Sequence, residues 1–369
     1  MSYTSYKPAR NYLFSVHIYN FAHAKETRTA TTMNNSQPKK ALILMNLGSP
    51  DSTAVPDVRK YLQEFLMDEF VIDYPYVFRY LLVNGIISRF RAPKSAEAYK
   101  KVWMKEGSPL IVLTNKLRDA VQEAVNYPVF SMMRYGSGSP QEVFDKIQTQ
   151  YPSVEEVIVL PLYPHWTMSS FETAVVYSRR TYEANNYIFK LRFLNPFYNH
   201  PEYISALAES IKPHLANDFD KLLFSYHGLP ERHMIKDDAK RVHPNRTKDF
   251  DFPEINYQKQ CFETSRLVAE YLGLPESKYT TSFQSRLTAA GKEWIKPYTA
   301  PLIDALPAQG VKKLLVVCPA FINDCLETLE EIAMEAKHDF MENGGETFTY
   351  IPCLNDDKNL VDTIVKWAK

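Results

Sequence analysis

Eight short apolar runs, each stopped by a turn signal, constrain this chain more than any other feature. They read ALILMNLGSP (41–50), PVFSMMRYGSGSP (128–140), EEVIVLPLYPHW (155–166) and IFKLRFLNPFY (188–198), then KLLFSYHGLP (221–230), YTTSFQSR (279–286), KKLLVVCPAFIND (312–324) and ETFTYIPCLND (346–356). Stretches with helical spacing, such as Tyr257–Leu272 and Asp324–Phe340, lie between them. Strands that alternate with helices of this length build βαβ units around a parallel sheet. The expectation is an α/β protein of two similar Rossmann-like lobes. Each holds a four-stranded parallel sheet flanked by helices, and an active-site cleft lies between them. The lobes are expected at 39–196 and 197–356, with the boundary near Pro196–Glu202. A final helix in 357–369 can join either lobe, the N-terminal one included. Asp51 or Ser52 is placed to cap a first helix running to about Met67, with Pro56 tolerated in its first turn.

Composition then removes whole classes of function. Lys plus Arg and Asp plus Glu both number 43, so the formal charge is zero and no basic surface argues for nucleic acid. Cys261, Cys318, Cys325 and Cys353 form no C-x-x-C pair and no zinc spacing, so they read as packing residues in a reducing, cytoplasmic setting. No run reaches the ~18 apolar residues of a spanning helix. Residues 1–38 are polar and aperiodic, either a disordered arm or sequence upstream of a natural start at Met33, and are set apart from the fold. No secretory signal is recognisable there. The 24 Tyr, 21 Phe and 4 Trp are unusual, and such rings fill cores or line pockets for flat apolar ligands.

Two stretches can carry chemistry. In LLFSYHGLPERH (222–233) an apolar strand breaks at His227-Gly228-Leu229-Pro230, which sets His227 at the carboxyl end, where open α/β sheets bind ligands. The second, DCLETLEE (324–331), opens a helix after another strand and puts Asp324, Glu327 and Glu331 three and four apart. An acidic helix start is also a cap, and Asp324 with Glu327 fits that reading equally. If His227 faces Glu327, an imidazole opposite a carboxylate ladder suits a first-row divalent metal and proton transfer. The segment 62–104 is apolar but carries too many charges to span a membrane. It is either a core-facing helix pair or a lid over an apolar ligand able to touch a membrane surface. Arg89, Arg91, Lys94, Lys100 and Lys101 close this segment after its apolar stretch, to grip carboxylates at the cleft mouth or to form a solvated face. G-x-G-x-x-G, Walker A, H-E-x-x-H and G-x-S-x-G are absent, leaving nucleotide and serine-hydrolase chemistry without support.

Taken together, LILMNLGSP, MRYGSGSP, LPLYPHW, SYHGLPERH, FQSR with Trp294 and Pro297, and PAFINDCLETLEE resemble ferrochelatase. The resemblance covers about 40 to 355 in the family's order. It implies insertion of ferrous iron into a porphyrin held in the cleft, with release of two protons. It places His227 at the active-site histidine, Glu327 at the metal-site glutamate, and Glu331 and Asp324 on the acidic path behind it. Leu47, Arg134, Tyr135, Tyr163, Trp166, Ser225 and Trp294 are expected to line the porphyrin pocket. Fe²⁺ is then a substrate, and no cofactor is expected to stay bound. No 2Fe–2S cluster is expected, since the cysteine group that carries it in some relatives has no counterpart. Leu47 stands where the coproporphyrin branch has a Tyr, which favours protoporphyrin IX. Coproporphyrin III, another tetrapyrrole chelatase and a non-enzymatic binder remain alternatives. A monomer is expected.

Overall fold

Proline at the first turn opens four of the helices that alternate with the strands, where its missing N–H costs nothing. The computed structural model describes residues 37–240, 250–286 and 293–369; the expectations for the N-terminal stretch up to Ser36 lie outside these. The first half runs β1 (Lys40–Gly48), α1 (Val55–Leu66), α2 (Tyr76–Tyr80), α3 (Ser88–Val102), α4 (Pro109–Ala124), β2 (Val129–Tyr135), α5 (Pro140–Gln150), β3 (Glu156–Pro161), α6 (Thr173–Glu183) and β4 (Lys190–Phe193). The second runs α7 (Pro201–Ile211), β5 (Lys221–His227), α8 (Glu231–Lys240), α9 (Tyr257–Tyr271), β6 (Tyr279–Gln284), α10 (Thr299–Ala305), β7 (Lys313–Val317), α11 (Lys337–Glu342), β8 (Thr347–Tyr350) and α12 (Lys358–Trp367).

The strands form two four-stranded sheets, β2-β1-β3-β4 and β6-β5-β7-β8, and every pairing is parallel. Their order is the same in both halves, as two similar α/β lobes require. The alternation of side chains along each strand decides what each sheet buries. Leu42 and Leu44 of β1, Leu222, Phe224 and Tyr226 of β5, and Leu315 and Val317 of β7 all enter one core. That core also takes Leu117 and Val121 of α4, Leu207 and Ile211 of α7, Val268 of α9 and Ile364 of α12. Helices are thus shared between the two sheets. The opposite faces bury separately: Ala41, Ile43 and Met45 on one side, Leu223, Leu314 and Val316 on the other. Both faces of each central strand are buried, hence the continuous apolar runs of the sequence.

Local details differ from the sequence expectation in two places. The first helix starts at Val55 rather than after Asp51 or Ser52, because the Ser52 hydroxyl donates to Asp57 (2.5 Å) and accepts from Ala54 N. Pro56 does sit in the first turn. After β7 the helix begins only at Leu326–Glu327 and is a π-helix over Glu327–Ala336, continuing as α11. The turns of a π-helix are wider than the ordinary ~3.6 residues. Further π-helical turns cover Leu81–Ile87 and Met168–Glu172. The C-terminal α12 packs beside α4 and α7, and Lys40 Nζ donates to the Ala368 carbonyl at 2.8 Å.

Candidate active site

The carboxyl ends of β1 and β5 and the π-helix supply the polar groups that meet here. Gly48 ends β1 at φ +102°, and an added Cβ would lie 1.9 Å from the Tyr135 carbonyl oxygen, so only glycine fits. The Gly48 carbonyl accepts from Tyr61 Oη at 3.1 Å. β5 ends at His227, and Gly228 follows because a Cβ there would meet Gln284 O at 2.5 Å. That close approach lets Gly228 N donate to the same oxygen at 2.8 Å and turns the chain sharply after His227.

Gln284 fastens this floor together. Its Oε1 accepts from Ser225 Oγ at 2.7 Å, and its Nε2 donates to the Glu327 carbonyl at 2.9 Å. The start of the π-helix is thereby held to the end of β6, beside His227. Burial lowers the His227 imidazole below its usual value; Glu327 raises it and Arg91 lowers it further. His227 Nδ1 has no hydrogen-bond partner among the described residues, and the ring meets Phe321 edge-on at 6.3 Å. The charge of Glu327 is felt by His227, Arg91, Tyr61 and Tyr99, which surround it from both lobes. Burial is the main cause that keeps both tyrosine hydroxyls protonated.

Glu331 stays on Glu327's side of the π-helix. Ser285, held at φ +62°, donates its N–H (2.6 Å) and Oγ (2.5 Å) to the two Glu331 oxygens. Burial, with help from the Glu327 charge, nevertheless pushes the Glu331 carboxyl up to about 7. Glu330 turns away and pairs with Lys101 of α3 at 2.5 Å, tying the 62–104 segment to the site helix.

The remaining expected residues divide. Asp324 precedes the helix, and its carboxylate accepts from Tyr350 Oη, from Thr328 Oγ1 at 3.0 Å and from Asn355 Nδ2 at 2.8 Å. It anchors the helix start instead of continuing the acidic stripe, because those donors hold it in the loop. Arg134 is locked by Asp68 (2.5 Å) and Thr173 (2.9 Å) and lies between the rings of Tyr135 and Tyr177. Tyr135 Oη also donates to Asp68, at 2.7 Å. Arg134, Asp68, Thr173 and Tyr177 border a recess of about 310 Å³ with Arg79 and Arg180, which Tyr135 does not line. Tyr163 is buried, its proton held mainly by burial, with the Arg134 charge acting against it. Leu47 packs where the cluster beneath β1 meets the α1–α3 cluster. Trp294 pairs with Pro230 and stands against Gly228, next to His227. Trp166 is buried among Phe171, Phe250 and Phe252, so it belongs to the core behind the first sheet and not to a pocket wall. Ser225 is likewise fully buried and serves Gln284 and Thr299. All four cysteines are free and buried. Sequence reasoning missed Tyr61 and Tyr99, for which no motif gave a signal, and did not single out Gln284 and Ser285 although both lie in the FQSR stretch.

The family model for ferrochelatase matches residues 39–369. The chain belongs to the ferrochelatase family. It is 44% identical over 335 residues to the ferrochelatase of Pseudomonas syringae pv. tomato, covering 89% of this chain and 95% of that one. It is 45% identical over 323 residues to the ferrochelatase of Pseudomonas entomophila, covering 86% and 94%. Among solved structures, SirB from Bacillus subtilis with Fe3+ aligns over 90% of this chain and 94% of its own, with a TM-score of 0.51 and 10% identity, a likeness of fold alone. Ferrochelatases insert ferrous iron into protoporphyrin IX, and iron is their substrate. Among the described residues, no three His, Cys, Asp or Glu side chains form a metal-holding group, and no helix is long and apolar enough to cross a membrane.

Proposed function

We propose that this ferrochelatase divides iron insertion between His227 and Glu327. The supporting observation is the Gln284 bridge: it pairs with His227 across β5 and β6 and donates to the Glu327 carbonyl at 2.9 Å, which brings an imidazole depressed by burial near a carboxylate. Metallation replaces two pyrrole N–H protons with Fe²⁺. A neutral imidazole is a base at neutral pH, so His227 accepts those protons in turn. Glu327 presents the iron from the opposite side, as a hard oxygen donor that holds Fe²⁺ without caging it. Glu331, with its carboxyl near 7, takes and returns protons at working pH and forms the exit behind Glu327. Leu47, Tyr163 and Trp294 serve as apolar walls for the macrocycle. Protoporphyrin IX is the porphyrin this wall favours. The test supplies protoporphyrin IX and Fe²⁺ anaerobically and follows porphyrin fluorescence. Turnover no faster than the uncatalysed reaction, in folded protein with fresh metal, sinks the proposal. Faster use of coproporphyrin III would overturn the choice of porphyrin.

The 62–104 segment acts as the lid of this site, and its outer face as a membrane contact. α1 and α3 bury Val58, Leu62, Ala92 and Ala96 against each other, while Tyr76, Val77, Phe78, Leu81, Ile86 and Phe90 remain exposed. Such a stretch, with Arg89 and Lys94 exposed beside it, suits a peripheral hold on an anionic bilayer by a cytoplasmic monomer. Co-sedimentation with phosphatidylglycerol vesicles that Phe78→Asp and Leu81→Asp together abolish supports this. Equal sedimentation of parent and variant refutes it.

A further inference from the structure

We infer that Asp73 is a latch that fastens the lid to α8, the helix that follows the His227 turn, and so governs lid opening and product release. This rests on the lid reading above. Asp73 lies between α1 and α2, at the root of the lid, yet its side chain is only 7% exposed. Its partners come from α8 in the other lobe. Arg232 Nη2 stands 2.7 Å from Oδ1 and Nε 3.0 Å from it, Lys236 Nζ pairs with Oδ2, and His233 Nε2 lies 4.0 Å away. The Arg232 guanidinium also lies 5.4 Å from the centre of the neighbouring Tyr74 ring.

Two further facts make this a built device rather than a chance surface pair. The backbone around Asp73 is pinned from the lid side, since buried Arg79 of α2 donates through Nη1 to the Ile72 (3.1 Å) and Tyr74 (3.0 Å) carbonyls. The carboxylate is thus presented outward by a braced turn. Its cationic partners sit on a helix that starts at Glu231, directly after the His227-Gly228-Leu229-Pro230 turn, and Glu231 N is itself tied to Glu293 O at 3.0 Å. Displacing the lid therefore breaks a shielded carboxylate away from two cations, and closing it fixes α8 relative to His227. Opening must exchange these charge-assisted hydrogen bonds for water, so the shielded pair biases the lid toward closure. None of the groups proposed for proton transfer or iron delivery belongs to the latch, so breaking it should alter lid opening and leave the chemical step alone.

The test compares parent with Asp73→Asn and with the double variant Arg232→Gln, Lys236→Gln. Haem dissociation is measured by transfer to apomyoglobin, the chemical step by single-turnover fluorescence, and lid exposure by amide exchange over residues 74–90. A latch worth one such pair predicts dissociation about tenfold faster in either variant, faster exchange in 74–90, and an unchanged single-turnover rate. Combining all three substitutions should add nothing, because both routes break the same contact, and Asp73→Glu should restore slow release. Parent-like release and exchange in folded Asp73→Asn, or additive effects in the combined variant, would overturn the latch. A parent that binds haem but never metallates porphyrin would instead overturn the functional reading.

Discussion

His227 and Glu331 have their chemistry set by what surrounds them. Replacing His227 by Ala removes the proposed base, so iron insertion should fall by about 10²–10⁴-fold while porphyrin binding, read by quenching of intrinsic fluorescence, persists. Retained turnover would make His227 structural. Glu331 provides a thermodynamic check. Its carboxyl rises from the usual 4.5 to about 7 on folding, so the folded state binds more protons between those values. Its contribution to stability therefore falls as pH rises through that window, and the full cost is present above it. Glu331→Gln removes that cost, so the gain in Tm over parent should be larger near pH 8 than near pH 5. An equal gain at both would place the carboxyl at its ordinary value. The Glu331 environment is not visible in the letters DCLETLEE. The spacing marked the acids, but burial and Ser285 decide how Glu331 behaves.

At the scale of elements, the strand ends were legible and the helix after β7 was not. A run such as KLLFSYH needs only its apolar length and the following Gly-Leu-Pro to be read as a buried strand with a sharp exit. DCLETLEE reads equally as a cap or a ligand ladder, and the structure gives Asp324 to the loop. Asp324→Ala leaves Tyr350, Thr328 and Asn355 without their acceptor and should cost roughly 3 kcal/mol, seen as a lower urea midpoint with unchanged slope. If stability holds and only turnover falls, Asp324 belongs to the reaction after all. At the end of β1, Gly48→Ala forces a Cβ onto the Tyr135 carbonyl and should cost more than about 3 kcal/mol.

Across the whole molecule, the two sheets behave as parts of one body. The helices α4, α7, α9 and α12 share one core with strands of both, and a buried trio ties the strand ends across them: Asn46 Nδ2 donates to Thr114 Oγ1 (3.0 Å) and Asn323 Oδ1 (3.1 Å). Urea unfolding should therefore give coincident transitions by circular dichroism and tryptophan fluorescence. Two separated transitions would show that the lobes fold independently. Asn46→Leu removes one of the two donors to Asn323 Oδ1, the other being Thr114 Oγ1 at 3.2 Å, and should lower the midpoint of that single transition.

Sequence alone determined the two parallel sheets, the location of His227 at the end of a strand and that of Glu327 in the helix that follows another. These follow from local periodicity, from Gly and Pro where the backbone must turn, and from motif spacing. Tertiary structure alone decided which aromatic residues face the site. Trp166 and Trp294 both sit among turn signals in the sequence, but one is sealed behind a sheet by Phe171 and Phe252 while the other stands beside the His227 turn. It also decided that Tyr350, Thr328 and Asn355 hold Asp324 in the loop, that Ser285 donates to Glu331 and that Asp73 reaches α8. Each of these depends on groups brought together from distant parts of the chain, and on the burial that comes with packing, for which no local pattern carries a signal.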